Sequence, residues 1–350
     1  MNYIGRKYSL LEFLESGILG RVGKARGTLF DVFAGTGVVG WHFKGLGFRV
    51  VANDFQHYAY CLNRAFVGTN TTPHFSGLRD TVGRAAGDPS EDVLGYLNNL
   101  SGRDGFVFRN YCSGGRGAAG RLYFSDENGR RCDAIRTRIG SWRRAGRISE
   151  REYYYLLASL IVGMDRVANT ASVYAAYLKR VKKSAQRSLR LEPIGLVQNG
   201  LRHQVHQRDA LHLVGRVPCD VLYMDPPYNH RQYHSNYHVL ETIARYDRPQ
   251  LHGITGLRPD PDLRSDFCLR RRALPALEQM VSRTRARHVF LSYNSEGLMP
   301  QDGILATMGR YGKVEVCTRD YARFRADADS AKRKYKANKV IEYLFCLEKR

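Results

Sequence analysis

Seven short segments rich in β-branched and aromatic residues are the feature of this chain that most restricts its fold. Each segment is bounded by Gly, Pro, Asn or Asp, as buried strands commonly are. Helical patterns lie between most of them, and this alternation predicts a doubly wound, mostly parallel sheet in an α/β fold. The predicted strands are residues 28–35, 48–54, 203–210, 219–225, 287–294, 313–321 and 340–348.

The alternation of strands and helices fails between residues 70 and 199. This block contains a Gly-rich loop at 113–120, followed by a segment at 121–135 that we predict as a hairpin. A long helix is expected to begin at Ser149, because Ser149 and Glu152 have the spacing of a capping box. We interpret the block as an insertion into the sheet fold.

Two domains are therefore predicted: a sheet domain formed by residues 1–69 and 200–350, and a mainly helical insert, 70–199. The insert carries 21 Lys/Arg and 12 Asp/Glu, and the whole chain has a formal net charge of +22. Such an excess attracts polyanions, of which nucleic acid is the commonest in a cytosol. The charge does not separate DNA from RNA, and a basic surface without a partner is the alternative.

The remaining composition indicates a cytoplasmic protein without a membrane partner. No run of eighteen apolar residues is present, so no transmembrane helix is expected. The N-terminal residues lack the basic and then apolar layout of a secretory signal. The seven cysteines are scattered and none are at C-x-x-C spacing, which predicts neither a disulfide framework nor a thiolate zinc site.

A glycine motif, Gly35-x-Gly37-x-x-Gly40, follows the first predicted strand and precedes a helical pattern. Glycines let the backbone turn tightly and approach a ligand, as in dinucleotide-binding loops. The second strand ends in Asn53-Asp54, where a carboxylate can accept hydrogen bonds from ribose hydroxyls. NAD or FAD, S-adenosylmethionine, and a purely structural turn are the three interpretations, and Asp54 makes the last of them the weakest.

A stiff corner, Asp225-Pro226-Pro227-Tyr228, follows the fourth predicted strand. The prolines fix their φ angles and donate no backbone hydrogen bond. The Asp225 carboxylate and the Pro226 carbonyl can therefore accept from one amino group, and Tyr228 offers a ring for stacking. The alternative is an ordinary turn after a strand.

This corner suits the amino group of a nucleobase. An aromatic amine is a poor nucleophile, because its lone pair is delocalised into the ring. Two acceptors that bind its hydrogens favour a tetrahedral nitrogen, which can attack the methyl group of a sulfonium by positioning and electrostatics alone. The base would have to leave the duplex to reach such a pocket.

These motifs resemble those of the adenine-specific DNA methyltransferases of the Dam-like class, and more closely the adenine methylases of type II restriction–modification systems. The segments that carry the resemblance include "YIGRKYSLLEFL", "DVFAGTGVVGWHF", "DPPYNHRQYHSNYHVLETIARYD", "GITGLR" and "LSYNSEGL". The resemblance implies a Rossmann-like methyltransferase fold, an S-adenosyl-L-methionine cofactor, and double-stranded DNA as the partner. It also implies that the insert reads the DNA sequence, and it allows for a cognate restriction endonuclease.

The resemblance also assigns roles to residues. Asp54 would hold the cofactor's ribose and Asp209 would contact its adenine. Arg6 is a departure, since many relatives carry a small residue there. The catalytic set is Asp225, Pro226, Pro227 and Tyr228. The cofactor-binding set is Tyr3, Lys7, Asp31, Phe33, Gly35, Gly37, Asp54, Asp209 and Asp225.

We therefore predict an enzyme that transfers a methyl group to N6 of a flipped adenine in a specific duplex sequence, as the protective arm of a restriction–modification system. One alternative is a methyltransferase that acts on N4 of cytosine or on RNA. Another is a non-catalytic DNA-binding specificity protein with the same fold. A nicotinamide oxidoreductase is the third, and it explains neither the corner nor the charge.

Three histidines follow the corner at positions 230, 234 and 238. On a helix they would share one face, and such a stripe can bind metal. No acidic or cysteine partner is evident, so no metal site is expected. We interpret the segment as a polar helix face or a loop that lines the substrate cleft, with Arg231 and Tyr233 near DNA.

Overall fold

The chain divides by compactness into two units, which are described separately. The sheet unit lies within residues 7–55, 199–233 and 263–350, and the helical unit lies within residues 56–198 and 234–260. The computed structural model describes residues 7–24, 26–83, 88–115, 120–260, 263–322 and 339–350.

Seven strands within the described residues form one sheet. They are β1 (Thr28–Asp31), β2 (Arg49–Asn53), β3 (Gln204–His206), β4 (Val221–Met224), β5 (His288–Asn294), β6 (Gly312–Ala322) and β7 (Lys339–Lys349). Their order across the sheet is β3-β2-β1-β4-β5-β7-β6. The pairs from β3 to β5 are parallel, and β7 is antiparallel to both β5 and β6. The predicted α/β fold with a mostly parallel seven-stranded sheet is confirmed.

Twelve α-helices occur in the described ranges. They are α1 (Leu11–Val22), α2 (Val38–Gly45), α3 (His57–Phe66), α4 (Arg79–Val82), α5 (Pro89–Asn98), α6 (Phe106–Tyr111), α7 (Asp126–Arg144), α8 (Glu150–Arg166), α9 (Ala210–Leu213), α10 (Tyr233–Arg245), α11 (Arg270–Arg283) and α12 (Gln301–Gly309). None of these helices is long and apolar enough to cross a bilayer.

The burial of the central strand β4 is what a parallel sheet with helices on both faces requires. All four of its residues are fully buried, which is typical of strands with helices on both faces. Leu222 and Met224 pack on one side with apolar residues of α11 and α12, such as Leu277 and Met308. The strand ends at Met224, so the next residue emerges at the carboxyl edge of the sheet, where α/β folds bind ligands.

The helical unit contains the two longest helices, and their starts are set by serine caps. The Ser149 hydroxyl accepts from the Glu152 amide, and the Glu152 carboxylate accepts from the Ser149 amide, so the predicted capping box is confirmed. Ser125 caps α7 in the same way by accepting from Asn128. The prediction of a hairpin at 121–135 is wrong, because α7 begins inside that segment.

The helical unit also includes residues 56–69 and 234–260 besides most of the predicted insert. Buried Glu241 of α10 explains part of this grouping, because its carboxylate accepts from the His57 and Tyr58 amides at the start of α3. In turn, α3 packs on α8. The assignment of sequence recognition to this region stays a prediction.

Candidate active site

The predicted site residues of the sheet unit follow its parallel strands. Asp31 ends β1, Asp54 follows β2, Asp209 follows β3 and Asp225 follows β4. Carboxyl ends of parallel strands meet at one edge of a sheet, so the fold brings these four groups to the same edge. Tyr3 and Arg6 lie outside the described residues.

The glycine loop after β1 has the backbone conformations that require glycine. Gly35 has φ +50° and Gly37 has φ +80°, a region that residues with a Cβ rarely adopt. The Gly35 amide donates to the Asp54 carboxylate at 2.8 Å. The loop is thus joined to the end of β2 by the carboxylate that the sequence singled out.

Asn53 is a residue of this edge that the sequence analysis did not select. It is buried, and its amide nitrogen donates to the carbonyls of Val32 (3.1 Å) and Arg208 (3.0 Å). Its oxygen accepts from the Arg208 amide at 3.0 Å. One side chain therefore ties together the chain segments that leave β1, β2 and β3.

Two further predicted residues have structural partners at this edge. Asp209 caps the short helix α9, since its carboxylate accepts from the Leu211 amide at 2.7 Å. Phe33 makes an edge-to-face contact with Phe267, with ring centroids 5.4 Å apart. Both side chains are consequently held in place before any ligand binds.

The corner after β4 is held by its own backbone and by packing. Pro226 is buried, while Asp225, Pro227 and Tyr228 are partly exposed. The Tyr228 carbonyl accepts from the Leu298 amide at 3.0 Å, and the Tyr228 ring packs against the α11–α12 core. Burial raises the pKa of Tyr228 to about 12, so its phenol stays neutral.

A buried lysine holds the Asp225 carboxylate. Lys7, which lies just before α1, has a side chain only 6% exposed. Its Nζ is 3.2 Å from Asp225 Oδ1 and 3.6 Å from Glu342 Oε2 on β7. A buried ammonium is tolerated only with such partners, so Lys7, Asp225 and Glu342 depend on one another for their positions.

This arrangement sets the ionisation of the corner. Burial raises the pKa of Asp225 to about 6, and the charge and hydrogen bond of Lys7 oppose that rise. Burial alone would lower the pKa of Lys7, but Asp225 and Glu342 raise it above its ordinary value. At neutral pH the carboxylate is therefore ionised and the ammonium charged.

Asp31 is the most unusual carboxyl group of this edge. It is buried at the end of β1. Burial raises its pKa well above the ordinary value, the charges of Asp225 and Asp54 raise it further, and the Gly40 amide opposes the rise. Three carboxyl groups therefore lie close together at this edge, and a nearby positive charge would relieve their mutual repulsion, so the edge suits a cationic ligand.

The histidines after the corner do not form one helical face. α10 begins at Tyr233, so His230 lies before the helix. His238 is fully buried, with its ring nitrogens 3.1 Å and 3.0 Å from the Ser235 and Thr255 carbonyls. The expectation of a polar face is wrong for His238, which is a structural residue of the helical unit. Within the described ranges no group of three His, Cys, Asp or Glu side chains could hold a metal ion.

Comparison with known proteins identifies the family. Residues 3–302 match the family described as D12 class N6 adenine-specific DNA methyltransferase. The chain belongs to this family. The match covers most of the chain and includes the glycine loop, Asp54 and the Asp225 corner, so the resemblance predicted from the motifs is confirmed.

Several type II methyltransferases resemble this methyltransferase over its whole length. M.NlaIII of Neisseria lactamica is 41% identical over 100% of the chain and 99% of its own length. M.CviAII of Paramecium bursaria Chlorella virus 1 is 31% identical over 99% of the chain and 97% of its own. M.FokI of Planomicrobium okeanokoites is 35% identical, and the chain spans 53% of that relative. No solved structure matches the chain.

Family membership decides between the alternatives that the sequence left open. The protein is an N6 adenine-specific DNA methyltransferase. It is not a nicotinamide oxidoreductase, and its substrate base is adenine in DNA instead of cytosine or an RNA base.

Glu342 of the methyltransferase, like Asn53, was missed by sequence reasoning, because its partner Lys7 is distant in the chain.

Proposed function

We propose that this methyltransferase moves a methyl group from S-adenosyl-L-methionine to N6 of an adenine that has left the DNA duplex. The observation that carries the proposal is the Asp225 corner, where a carboxylate held by a buried lysine stands beside two prolines at the edge of the sheet. Activity of this kind needs two fixed acceptors and a stacking surface for one base.

The corner would act by binding the amine. The Asp225 carboxylate and the Pro226 carbonyl each accept one N–H of the 6-amino group, which localises the nitrogen lone pair. Pro227 keeps the corner stiff, and the Tyr228 ring stacks on the base and excludes water from it. These interactions strengthen as positive charge develops on the nitrogen, so they favour the transition state over the bound substrate.

The cofactor would lie along the same edge. Asp31, Phe33, Gly35 and Gly37 would surround its methionine part together with Tyr3 and Lys7, Asp54 would hold the ribose, and Asp209 would contact the adenine. The clustering of the Asp31, Asp54 and Asp225 carboxyl groups supports a cationic cofactor. S-adenosyl-L-methionine supplies, when bound, a methyl group on a positively charged sulfur.

Binding of duplex DNA would rest on the basic surface of the helical unit. The segment "KRVKKSAQRSLR" at 179–190 carries six basic residues and no acidic one, and most of them are exposed. Its backbone is tied down by two buried asparagines: Asn169 accepts from the Lys182 amide and Asn128 accepts from the Leu189 amide. A fixed, exposed basic segment of this kind suits contacts with phosphates.

The names of the relatives bear on the biological setting. M.NlaIII, M.CviAII and M.FokI are named as type II methyltransferases. We propose that this enzyme likewise modifies a specific duplex sequence, as the protective partner of a cognate restriction endonuclease in the cytoplasm.

The central test is methyl transfer from labelled S-adenosyl-L-methionine to unmethylated DNA. Asp225→Asn keeps the size of the side chain but removes its charge. We expect the rate to fall by roughly 100-fold or more, because a neutral amide oxygen is a weaker acceptor than a carboxylate for an amine that becomes positively charged in the transition state. Asp302→Asn, at an exposed carboxylate of α12, is the matched control and should be fully active. Nucleoside analysis should show N6-methyladenine. Full activity of Asp225→Asn would contradict the proposed role.

A further inference from the structure

A four-residue loop in the helical unit has an unusual structure. Residues 253–256, "GITG", are closed by two backbone hydrogen bonds between His252 and Leu257, at 2.8 and 2.9 Å. Within the loop, the Gly256 amide donates to the Gly253 carbonyl at 3.2 Å. This is a tight turn with Ile254 and Thr255 at its tip, and both glycines have positive φ angles.

The first half of the turn is held by a buried arginine. Arg121 donates from Nε to the Ile254 carbonyl at 2.9 Å and from Nη2 to the Gly253 carbonyl at 3.0 Å. Its Nη1 donates to the Asn110 carbonyl, so the guanidinium itself is fixed in place. A Cβ at position 256 would approach the guanidinium to 2.9 Å, which is why that position is glycine.

The second half of the turn is held by buried aromatic side chains. The Thr255 carbonyl lies 3.0 Å from both the Tyr123 hydroxyl and His238 Nε2. The Tyr111 hydroxyl donates to the Gly256 carbonyl at 3.2 Å. Every carbonyl of the turn, from 253 to 256, therefore has a buried side-chain partner, which fixes the backbone of the turn.

The turn carries an apolar side chain that contributes nothing to the core. Ile254 is 77% exposed, the largest exposure among the large hydrophobic residues that the structure describes. His252 and Gly253 beside it are exposed too. An aliphatic side chain that stays in water gains no stability from folding. Here it stands on a turn whose carbonyls are all held by buried side chains, and a partner for Ile254 explains this combination better than the fold does.

We propose that Ile254 is an apolar wedge of this methyltransferase, and that it enters the base stack of bound DNA and thereby favours extrusion of the target adenine. The proposal rests on the extrusion of adenine proposed above. Apolar side chains that enter a duplex stack replace base contacts with van der Waals contacts, and they must be held rigidly to do so. The clamped backbone provides that rigidity, and the basic segment at 179–190 of the same unit favours a duplex as its partner.

The recognition sequence is first identified by mapping methylated adenines in DNA from cells that express the enzyme. The test then uses duplexes of that sequence that contain 2-aminopurine in place of the target adenine. The fluorescence of 2-aminopurine rises when it leaves the stack. Wild-type enzyme should cause this rise, and Ile254→Ala should lose most of it. The variant should also methylate the natural duplex roughly 10- to 100-fold more slowly, because the free energy needed to unstack the adenine is no longer offset by contacts of the wedge. Leu201→Ala, at an aliphatic side chain that is 40% exposed and lies outside the proposed DNA-binding segment, is the control and should behave as wild type.

A second substrate separates a wedge from a general defect. When the target adenine stands opposite an abasic position, extrusion is easier, and a wedge is needed less. The deficit of Ile254→Ala should therefore shrink to within a few-fold of wild type on that duplex. An equal deficit on both duplexes, or normal fluorescence and rate in Ile254→Ala, would overturn the wedge. Failure of the wild-type enzyme to methylate adenine in either duplex would instead overturn the proposed function.

Discussion

At the scale of single residues, the Lys7 side chain sets both the position and the charge of the Asp225 carboxylate. Asp225 is 22% exposed, and its burial favours the neutral form. A neutral carboxyl group would offer a weaker acceptor to an amine. The ammonium of Lys7 restores the ionised form, whereas the charge of Glu342 acts against it. The pKa of Asp225, about 6, is the balance of these opposed effects.

This balance predicts how activity depends on pH. In the free enzyme Asp225 is protonated below about pH 6, so kcat/KM should fall as the pH decreases through that value. Lys7→Gln removes an opposite charge and should move this fall to higher pH by roughly one to three units. Glu342→Gln removes a like charge and should move it to lower pH. The measurement is kcat/KM for methyl transfer between pH 5 and 9.

The comparison needs a lysine whose loss leaves the corner untouched. Lys313 serves, because it is 76% exposed and pairs with Glu315 instead. Lys313→Gln should keep the wild-type profile. If Lys7→Gln and Lys313→Gln gave the same midpoint, Lys7 would have no part in the ionisation of Asp225.

At the scale of elements, the sequence predicted what is local and missed what is distant. Strand periodicity and the serine cap at Ser149 are encoded within a few residues, and both predictions are confirmed. The segment 121–135 was misread because "SDENG" is also a turn composition. In the structure Ser125 and the acidic residues after it cap a helix. Asn53 and Glu342 could not be found, since their partners are far away in the chain.

The capping box of α8 allows a measurement at this scale. Ser149→Ala removes the acceptor for the Glu152 amide and should lower the free energy of unfolding by about 1 kcal/mol. Urea or thermal denaturation, followed by circular dichroism, provides the value. Ser141→Ala, at an exposed position inside α7, should change stability by less than about 0.5 kcal/mol. A loss no larger for Ser149→Ala than for Ser141→Ala would exclude a stabilising cap.

At the scale of the whole molecule, the excess of 55 basic over 33 acidic residues predicts that DNA binding depends on the salt concentration. Each phosphate contact releases condensed counterions, so the affinity for DNA should fall steeply with ionic strength. Charges that are already paired with carboxylates contribute less. The distribution of the charge, more than its total, therefore decides which part of the chain contacts the duplex.

Two double variants test that distribution. Replacing exposed Lys179 and Arg180 with Gln should reduce the slope of log K against log salt by about two, because each lost contact reduces it by roughly 0.9. Replacing Arg310 and Lys313, which pair with Glu278 and Glu315, should leave the slope unchanged. Binding measured at several salt concentrations distinguishes them. Equal slopes for both double variants would place the phosphate contacts elsewhere.

The pairing of Lys7 with Asp225 and Glu342 also has a consequence for the newly made enzyme. During synthesis the glycine loop and the Asp225 corner leave the ribosome well before Glu342 and strand β7. Until then β5 has an open edge on the side that β7 will cover, and Lys7 lacks one of its two carboxylate partners. An enzyme of this design becomes competent to modify DNA when its sheet is complete, and chains truncated before β7 should be inactive.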